Sequence, residues 1–329
     1  MSVSIAEDRK DTNDTKDANA LPIFRILRIF KVVMHHPTDF SVTLPSMKHG
    51  FLLIDKPQGP TSHDVVSMVR RALSEKSVGH LGTLDPMATG LLVLAVGTKA
   101  LKVIELFSDL SKEYIATVTF GSVSTTYDAT GVLEKIEPKP GWTEPTIETM
   151  KNTIADRFLG RIQQVPPAHS AVHIGGERAY RKARQGRAVD MPSREVFVQE
   201  CEILQYEFPR LELRVKCGSG TYIRSLAHDL GQVLKFGAHL SALRRTKIDE
   251  WSVDNAVLPD NAKWTQVIPL KDILGSFPRI DLTAEEFQAL GHGRDLPKEV
   301  QPKTFGWHED LPVVLLEPKE GKAHPKKVL

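Results

Sequence analysis

Cysteine is nearly absent from this chain, with only Cys201 and Cys217 in 329 residues. They lie in separate strand-like segments without metal-type spacing, which speaks against a zinc framework or a disulfide scaffold and fits a reducing compartment. An excess of one charge is lacking too. The 43 Lys and Arg against 41 Asp and Glu leave a net charge of +2, so only clustering can point to nucleic acid. No apolar run approaches the roughly 20 residues needed to cross a bilayer. The nearest, Leu21 to Met34, is interrupted by Arg25, Arg28 and Lys31. It has no uncharged core and no small-residue cleavage site, which excludes an ordinary secretory signal. The acids ahead of it (Glu7, Asp8, Asp11, Asp14, Asp17) speak against an organellar presequence, and a basic amphipathic helix on a membrane surface is the remaining alternative. The expectation is a cytoplasmic protein. Residues 1–46 are read as a leader, disordered or the product of an upstream start, with Met47 as the working start.

What is present is an ordinary globular composition, 41% hydrophobic and 26% charged, long enough for one large domain and a small one. Phe51 to Asp55 reads as a strand closed by the turn Lys56-Pro57-Gln58-Gly59-Pro60. Ser62 can cap a helix whose buried stripe is Val65, Val69 and Leu73. Leu91 to Val96 reads as a buried strand, and Thr98 opens a helix with Leu101, Ile104 and Phe107. Tyr114 to Phe120 alternates with period two, as does Leu211 to Cys217. Ile147, Met150, Ile154 and Phe158 form another helical stripe, and a helix starts near Thr221 after Gly218-Ser219-Gly220. Strands and helices do not alternate as in a doubly wound sheet. The expected class is therefore α+β, a mixed, mainly antiparallel sheet flanked by helices. A break near Ser276-Phe277-Pro278 sets off a C-terminal piece, 279–329, which is small for an independent core.

The chemistry concentrates in Gly79-His80-Leu81-Gly82-Thr83-Leu84-Asp85-Pro86-Met87-Ala88-Thr89-Gly90. An Asp-Pro pair by itself usually marks a helix start. Here glycines on both sides let the backbone bend sharply and let a large ligand approach, while the strand behind gives the acid a rigid base. Further segments keep it company: Ser111-Lys112-Glu113-Tyr114, Ser124-Thr125-Thr126-Tyr127-Asp128-Ala129-Thr130-Gly131, Gly218-Ser219-Gly220-Thr221-Tyr222-Ile223-Arg224-Ser225-Leu226, and Gly237-Ala238-His239-Leu240-Ser241-Ala242-Leu243-Arg244-Arg245.

Taken in this order, the five segments resemble the TruB family of pseudouridine synthases across most of residues 50–250. The resemblance implies a pseudouridine synthase fold, residues 47–278 as catalytic domain, and a shortened PUA-like RNA-binding module at 279–329. It implies isomerisation of uridine 55 in the T-loop of tRNA to pseudouridine, with base flipping and Asp85 as nucleophile. Arg224 would be the partner of Asp85, expected to lower its pKa and fix its orientation. Tyr114 would stack on the uracil and help remove its C5 proton. Tyr222 and Leu243 would wall the base pocket, His80 would take part in extruding the base, and Asp128 would lie near the site.

Turning uridine into pseudouridine breaks an N-glycosidic bond, rotates the base and rejoins it through carbon. No group enters or leaves, so no cofactor or metal is expected. An ionised carboxylate could attack covalently, or abstract a sugar proton to give a glycal; the residues fit both.

Residues 161–194 are strongly basic, with Arg178, Arg181, Lys182, Arg184 and Arg187 in a helical pattern interleaved with Tyr180. Such a run is often only a solvated face. Beside a base-flipping site it reads as a phosphate-contacting arm. Here the chain departs from the family: Pro166-Pro167-Ala168-His169-Ser170-Ala171-Val172-His173 has histidine at 169 and 173, where tyrosine and lysine are usual. The expected partner is the T-arm and loop of tRNA, with no membrane and no obligate protein partner. A guide-RNA-directed or ribosomal uridine is the alternative target, and a non-catalytic RNA chaperone is the alternative class.

Overall fold

The joint between two half-sheets is what positions the site. The computed structural model describes residues 49–329 except positions 171, 175, 186 and 188, so the leader lies outside the described residues. In chain order come β1 (Gly50–Lys56), α1 (Ser62–Leu73), β2 (Val78–Leu81), β3 (Thr89–Val96), α2 (Thr98–Val103) and β4 (Lys112–Phe120). Next are β5 (Ser122–Ser124), β6 (Leu133–Lys135), α3 (Ile147–Arg157) and β7 (Gly160–Gln164), then β8 (His173–Ile174), β9 (Glu177–Arg178) and α4 (Ala179–Arg184). β10 (Arg194–Glu207), β11 (Arg210–Cys217), α5 (Ile223–Val233), β12 (Ala238–Ile248) and β13 (Trp251–Ser252) follow. After β14 (Ile268–Pro269) and α6 (Leu270–Leu274), the chain ends with β15 (Arg279–Asp281), α7 (Ala284–Gly291), β16 (Thr304–His308), β17 (Leu311–Lys319) and β18 (Lys322–Val328).

The main sheet runs β14-β1-β3-β12-β4-β11-β10-β7, with β2 on β3 and β13 on β12. Every pairing in it is antiparallel except β3 with β12, where Arg244 faces Thr89 and Arg245 faces Gly90. The architecture is the mixed, mainly antiparallel α+β arrangement read from the sequence. Gly90 makes the parallel joint possible. Its φ is +99°, and a Cβ there would stand 2.2 Å from the Arg245 carbonyl oxygen, so any side chain would force the two strands apart.

Each half buries its strands differently. Tyr114, Ala116 and Val118 of β4 alternate inward with Leu211, Leu213 and Val215 of β11, and pack against Met150 and Ile154 of α3 and Ile223, Leu226 and Leu230 of α5. β1 and β3 are covered on both faces. Leu52, Ile54, Leu92 and Leu94 meet Val65, Val69 and Leu73 of α1, while Phe51, Leu53, Leu91 and Val93 face the other way toward Phe107 and Trp251. Burial on both faces explains why Leu91 to Val96 is apolar throughout. The helix α1 begins one residue off the sequence expectation. Thr61 is its N-cap, in a reciprocal capping box with Asp64, and Ser62 is the first helical residue. Ser62 instead turns its hydroxyl to Leu84.

The C-terminal strands form a separate sheet, β15-β16-β17-β18. Its Phe305, Trp307 and Leu315 join the cluster of Phe51, Phe107 and Trp251, so this piece and the main sheet share a core.

Candidate active site

Asp85 stands in the loop between β2 and β3, at the joint of the two half-sheets. Its own carbonyl accepts from the Ala88 N–H at 3.1 Å, closing a turn over Pro86 and Met87. The loop is held from beneath. Ser62 Oγ donates to the Leu84 carbonyl and accepts the Leu84 N–H, both at 2.9 Å. The fully buried Lys56 ammonium donates to the carbonyls of Ala88 at 2.7 Å, Pro57 at 2.9 Å and Pro86 at 3.3 Å. Three acceptors and a nearby acid keep a desolvated ammonium tolerable.

Arg224, in the first turn of α5, is 5% exposed and reaches this loop. Its Nε lies 3.0 Å from Asp85 Oδ2 and its Nη2 lies 3.5 Å from Oδ1. The same guanidinium meets Asp128 Oδ2 at 3.5 Å and donates to the carbonyls of Thr126 at 3.2 Å and His169 at 3.0 Å. A cation at a helix start opposes the dipole unless acids are near; here two are. Asp128 is 3% exposed, and its other oxygen accepts from Thr126 Oγ1, Thr130 Oγ1 and the Thr130 N–H. Asp128 therefore fixes its own turn and braces the arginine.

Of the residues singled out for the base pocket, two share a core cluster with the acid's loop. Tyr114, 9% exposed, and Leu243, 8% exposed, belong to the core cluster that also holds Leu84, Met87 and Ala88 of the acid's loop. Tyr222 is the N-cap residue of α5 and half-buried, with the Arg194 guanidinium 4.8 Å over its ring. His80 lies on β2, hydrogen-bonds Thr83 Oγ1 through Nε2 at 3.0 Å, and meets the His63 ring edge to face.

Electrostatically the site differs from expectation in one respect. Burial drives the Asp85 carboxyl above the usual carboxylate range; Arg224 pulls it back, Asp128 pushes it up again, and Lys56 lowers it. The guanidinium acts in the expected direction but does not win. The Asp85 side chain is still 38% exposed toward solvent, and a base occupying the site would deepen its desolvation. Burial pushes His80 down to about 4, with His63 and Arg245 adding to it, so the imidazole is neutral near pH 7. Burial also raises the Tyr114 phenol, against the influence of Arg245.

The basic arm is partly committed within itself. Arg178 belongs to β9 rather than to a helix, and α4 spans only six residues. Lys182 donates to the Ile174 carbonyl at 2.7 Å and Arg187 pairs with Glu177 at 2.7 Å. Arg181 is exposed. The side chains of Arg178 and Arg184 lie outside the described residues.

Three contributors escaped the sequence reading. Lys56 hid in a turn that looked like plain punctuation. Gln164, 1% exposed, clamps the start of α5 by accepting the Tyr222 N–H at 2.8 Å and donating to the Tyr222 carbonyl at 3.0 Å. Arg245 is buried beside Tyr114, its strand neighbour. For Lys56 the available signal was a cation closing an apolar strand; Arg245, set among Arg244, Thr246 and Lys247, gave none.

Residues 70–223 match the model of the TruB family pseudouridylate synthase (N terminal domain), and residues 224–261 match that of the tRNA pseudouridylate synthase B C-terminal domain. The tRNA pseudouridine synthase B of Mycobacterium tuberculosis (strain ATCC 25618 / H37Rv) is 41% identical over 256 residues, covering 75% of this chain and 84% of that protein. The chain belongs to the TruB family of pseudouridine synthases. Asp85 and Arg224 both fall within the matched segments. A tRNA pseudouridine synthase B of Syntrophomonas wolfei subsp. wolfei is likewise 41% identical, over 76% of this chain and 85% of that one. Among solved structures, a Cbf5-Nop10-Gar1 complex aligns with a TM-score of 0.62 and 25% identity over 86% of this chain and 85% of that one. A further structure, of an H/ACA RNP bound to a substrate RNA, shares the fold at a TM-score of 0.59 and 23% identity over 86% of both chains. In the described part of this TruB family chain, no helix is long and apolar enough to cross a membrane.

Proposed function

We propose that this chain converts uridine 55 in the T-loop of tRNA to pseudouridine, in the cytoplasm. The observation carrying this reading is the contact of Asp85 with Arg224 at 3.0 Å, in a loop that packs in one cluster with Tyr114 and Leu243. The substrate class is supported by the tRNA pseudouridine synthase B relatives. The flipped uracil stacks on Tyr114 and packs against Leu243 and Tyr222, regaining the apolar contacts it loses on leaving the RNA stack. Neutral His80 helps extrude it. Asp85, ionised beside Arg224, either bonds C1′ or removes the C2′ proton. In both routes the N1–C1′ bond breaks with its electron pair going to the uracil, the uracil turns, and C5 bonds C1′ as the Asp85–C1′ ester bond breaks or the C2′ proton returns from Asp85; N1 takes up a proton in place of the one C5 gives up. The C5 proton then leaves toward Tyr114 and the C5=C6 double bond is restored. Atoms and electrons balance within substrate and protein.

Arg178, Arg181, Lys182, Arg184 and Arg187 are read as phosphate contacts on the T-arm; the side chains of Arg181 and Arg187 are exposed, the latter paired with Glu177. Residues 279–329 are read as a shortened PUA-like RNA-binding module. No obligate protein partner and no cofactor enter the scheme.

The deciding experiment uses Asp85→Asn. RNA binding is retained and release of C5 hydrogen from labelled tRNA is abolished. Turnover kept within about tenfold of the parent, a barrier change of only ~1.4 kcal/mol, overturns the assignment. Mapping pseudouridine in RNA from cells lacking the protein checks the position; modification still present at 55 and lost elsewhere redirects the substrate assignment.

A further inference from the structure

Arg245 heads the largest side chains that the fold encloses completely, at 1% exposure. Its neighbours in charge are all spoken for. Arg244 takes Asp55 at 2.9 Å, and Arg224 stands between Asp85 and Asp128. Among the ion pairs of the described residues, Arg245 has no carboxylate. Its Nε donates to the Leu91 carbonyl at 2.7 Å and its Nη2 to the Gly82 carbonyl at 2.9 Å, and across β12 and β4 it is the register partner of Tyr114, whose phenol feels its charge. A buried cation facing only neutral groups is costly, and of these three neighbours only the phenol can become an anion.

We propose that Arg245 is a positioning residue for Tyr114, its unpaired charge stabilising the phenolate that takes the C5 proton in the last step of the isomerisation. This rests on the reading of Tyr114 as the residue at the uracil. When C5 has bonded to C1′ it still carries its hydrogen. The C5–H bond breaks, the proton goes to the Tyr114 oxygen, and the electron pair closes the C5=C6 bond. Burial keeps most of the phenol protonated, so the step draws on its ionised fraction, whose proton has gone to solvent before the base arrives. Arg245 remains as counter-charge.

The groups around the pair fit this. Tyr114 faces Arg245 from β12, Cys217 from β11 and Asp85 from the loop after β2. Behind Arg245 stand Lys112 of β4 and His80 of β2. Cys217, pushed up to about 11 by burial, and His80, down to about 4, are neutral near pH 7. Burial lifts the phenol, and Arg245 is the largest influence drawing it back down.

The test compares Arg245→Gln, Tyr114→Phe and the parent on two RNAs, one with deuterium at uridine C5 and one with 5-fluorouridine, from which no C5 proton can be lost. Arg245→Gln is expected to slow C5 hydrogen release by about a hundredfold, in the range of a lost general base, and to raise the deuterium isotope effect well above that of the parent. Consumption of the 5-fluorouridine RNA should change by less than about threefold. Equal slowing on both RNAs, or no change on either, makes Arg245 merely structural and overturns the inference. If Arg245→Gln does not fold, Arg245→Lys, which keeps the charge, is expected to retain most of the C5 release, and its full loss in a folded protein overturns the inference; the parent's pH profile is read beside it. C5 release by the parent should rise through the alkaline range, and a flat profile overturns the inference. Normal C5 release by Tyr114→Phe brings down the Tyr114 reading itself, an outcome distinct from failure of Arg245 alone.

Discussion

Arg224 serves two carboxylates and two carbonyls at once, and its loss therefore has a signed pH consequence. Burial raises Asp85 and Arg224 lowers it. Removing the guanidinium as Arg224→Gln leaves burial opposed only by Lys56, so the acid limb of activity moves to higher pH. Each unit of that movement costs about tenfold in the ionised fraction below the limb. Single-turnover rates at pH 6 should fall by a larger factor than at pH 8; an unmoved acid limb contradicts the assigned pairing. Asp229, on the same helix, is pushed up to about 6 by burial. Its folded value lies above the unfolded one, so its favourable contribution is full below the unfolded value and is lost as pH rises through about 6. Asp229→Asn should raise the melting temperature at pH 8 more than at pH 5. Most individual site residues were legible because their motifs sit in local sequence. The direction of the Asp85 shift was not, since it depends on how much protein closes over one loop.

At the scale of elements, the two half-sheets are joined by only two residues of parallel pairing between β3 and β12. Gly90→Ala puts a methyl at φ +99° and against the Arg245 backbone. We expect a loss of roughly 2–4 kcal/mol from left-handed strain and overpacking, read as a lower urea midpoint, with activity falling as the Asp85 loop shifts. An unchanged midpoint contradicts the close approach. The strand of Tyr114 to Phe120 was readable because one face is buried and the other half-exposed, which writes period two into the sequence. The joint was not readable, because two residues of pairing leave no period at all. The arm was overread as a helix. Its charges follow helical spacing, yet only Arg181, Lys182 and Arg184 fall in a helix, six residues long, with Arg178 in β9 before it and Arg187 beyond it.

On the scale of the whole molecule, the C-terminal sheet is an integral part of the core. Phe277 bridges the two parts edge to face, with ring centroids 5.9 Å from Phe107 and 5.4 Å from Phe305. Lys327 pairs with Glu105 at 2.5 Å, and Lys102 reaches the Val328 carbonyl at 2.6 Å. Removing residues 279–329 should bare Phe51, Phe107 and Trp251 and leave a chain that aggregates, while the full chain unfolds in one transition by fluorescence and circular dichroism alike. Two separated transitions would show instead that the parts are independent. Tight binding of tRNA should weaken steeply with salt through the arm; a flat response to ionic strength removes the arm from the contact surface.

The order of strands also sets a schedule for synthesis. β12 is made after β3 and β4 but lies between them. Arg224 must find partners 139, 98 and 55 positions upstream. A ribosome that has finished residue 230 therefore carries two unjoined half-sheets, each with an open edge where the other will attach. Such edges are templates for wrong pairing, and closure must wait on distant segments. The nascent chain is most in need of shelter just before its central strand emerges, and Asp85 gains its full surroundings only at that late moment.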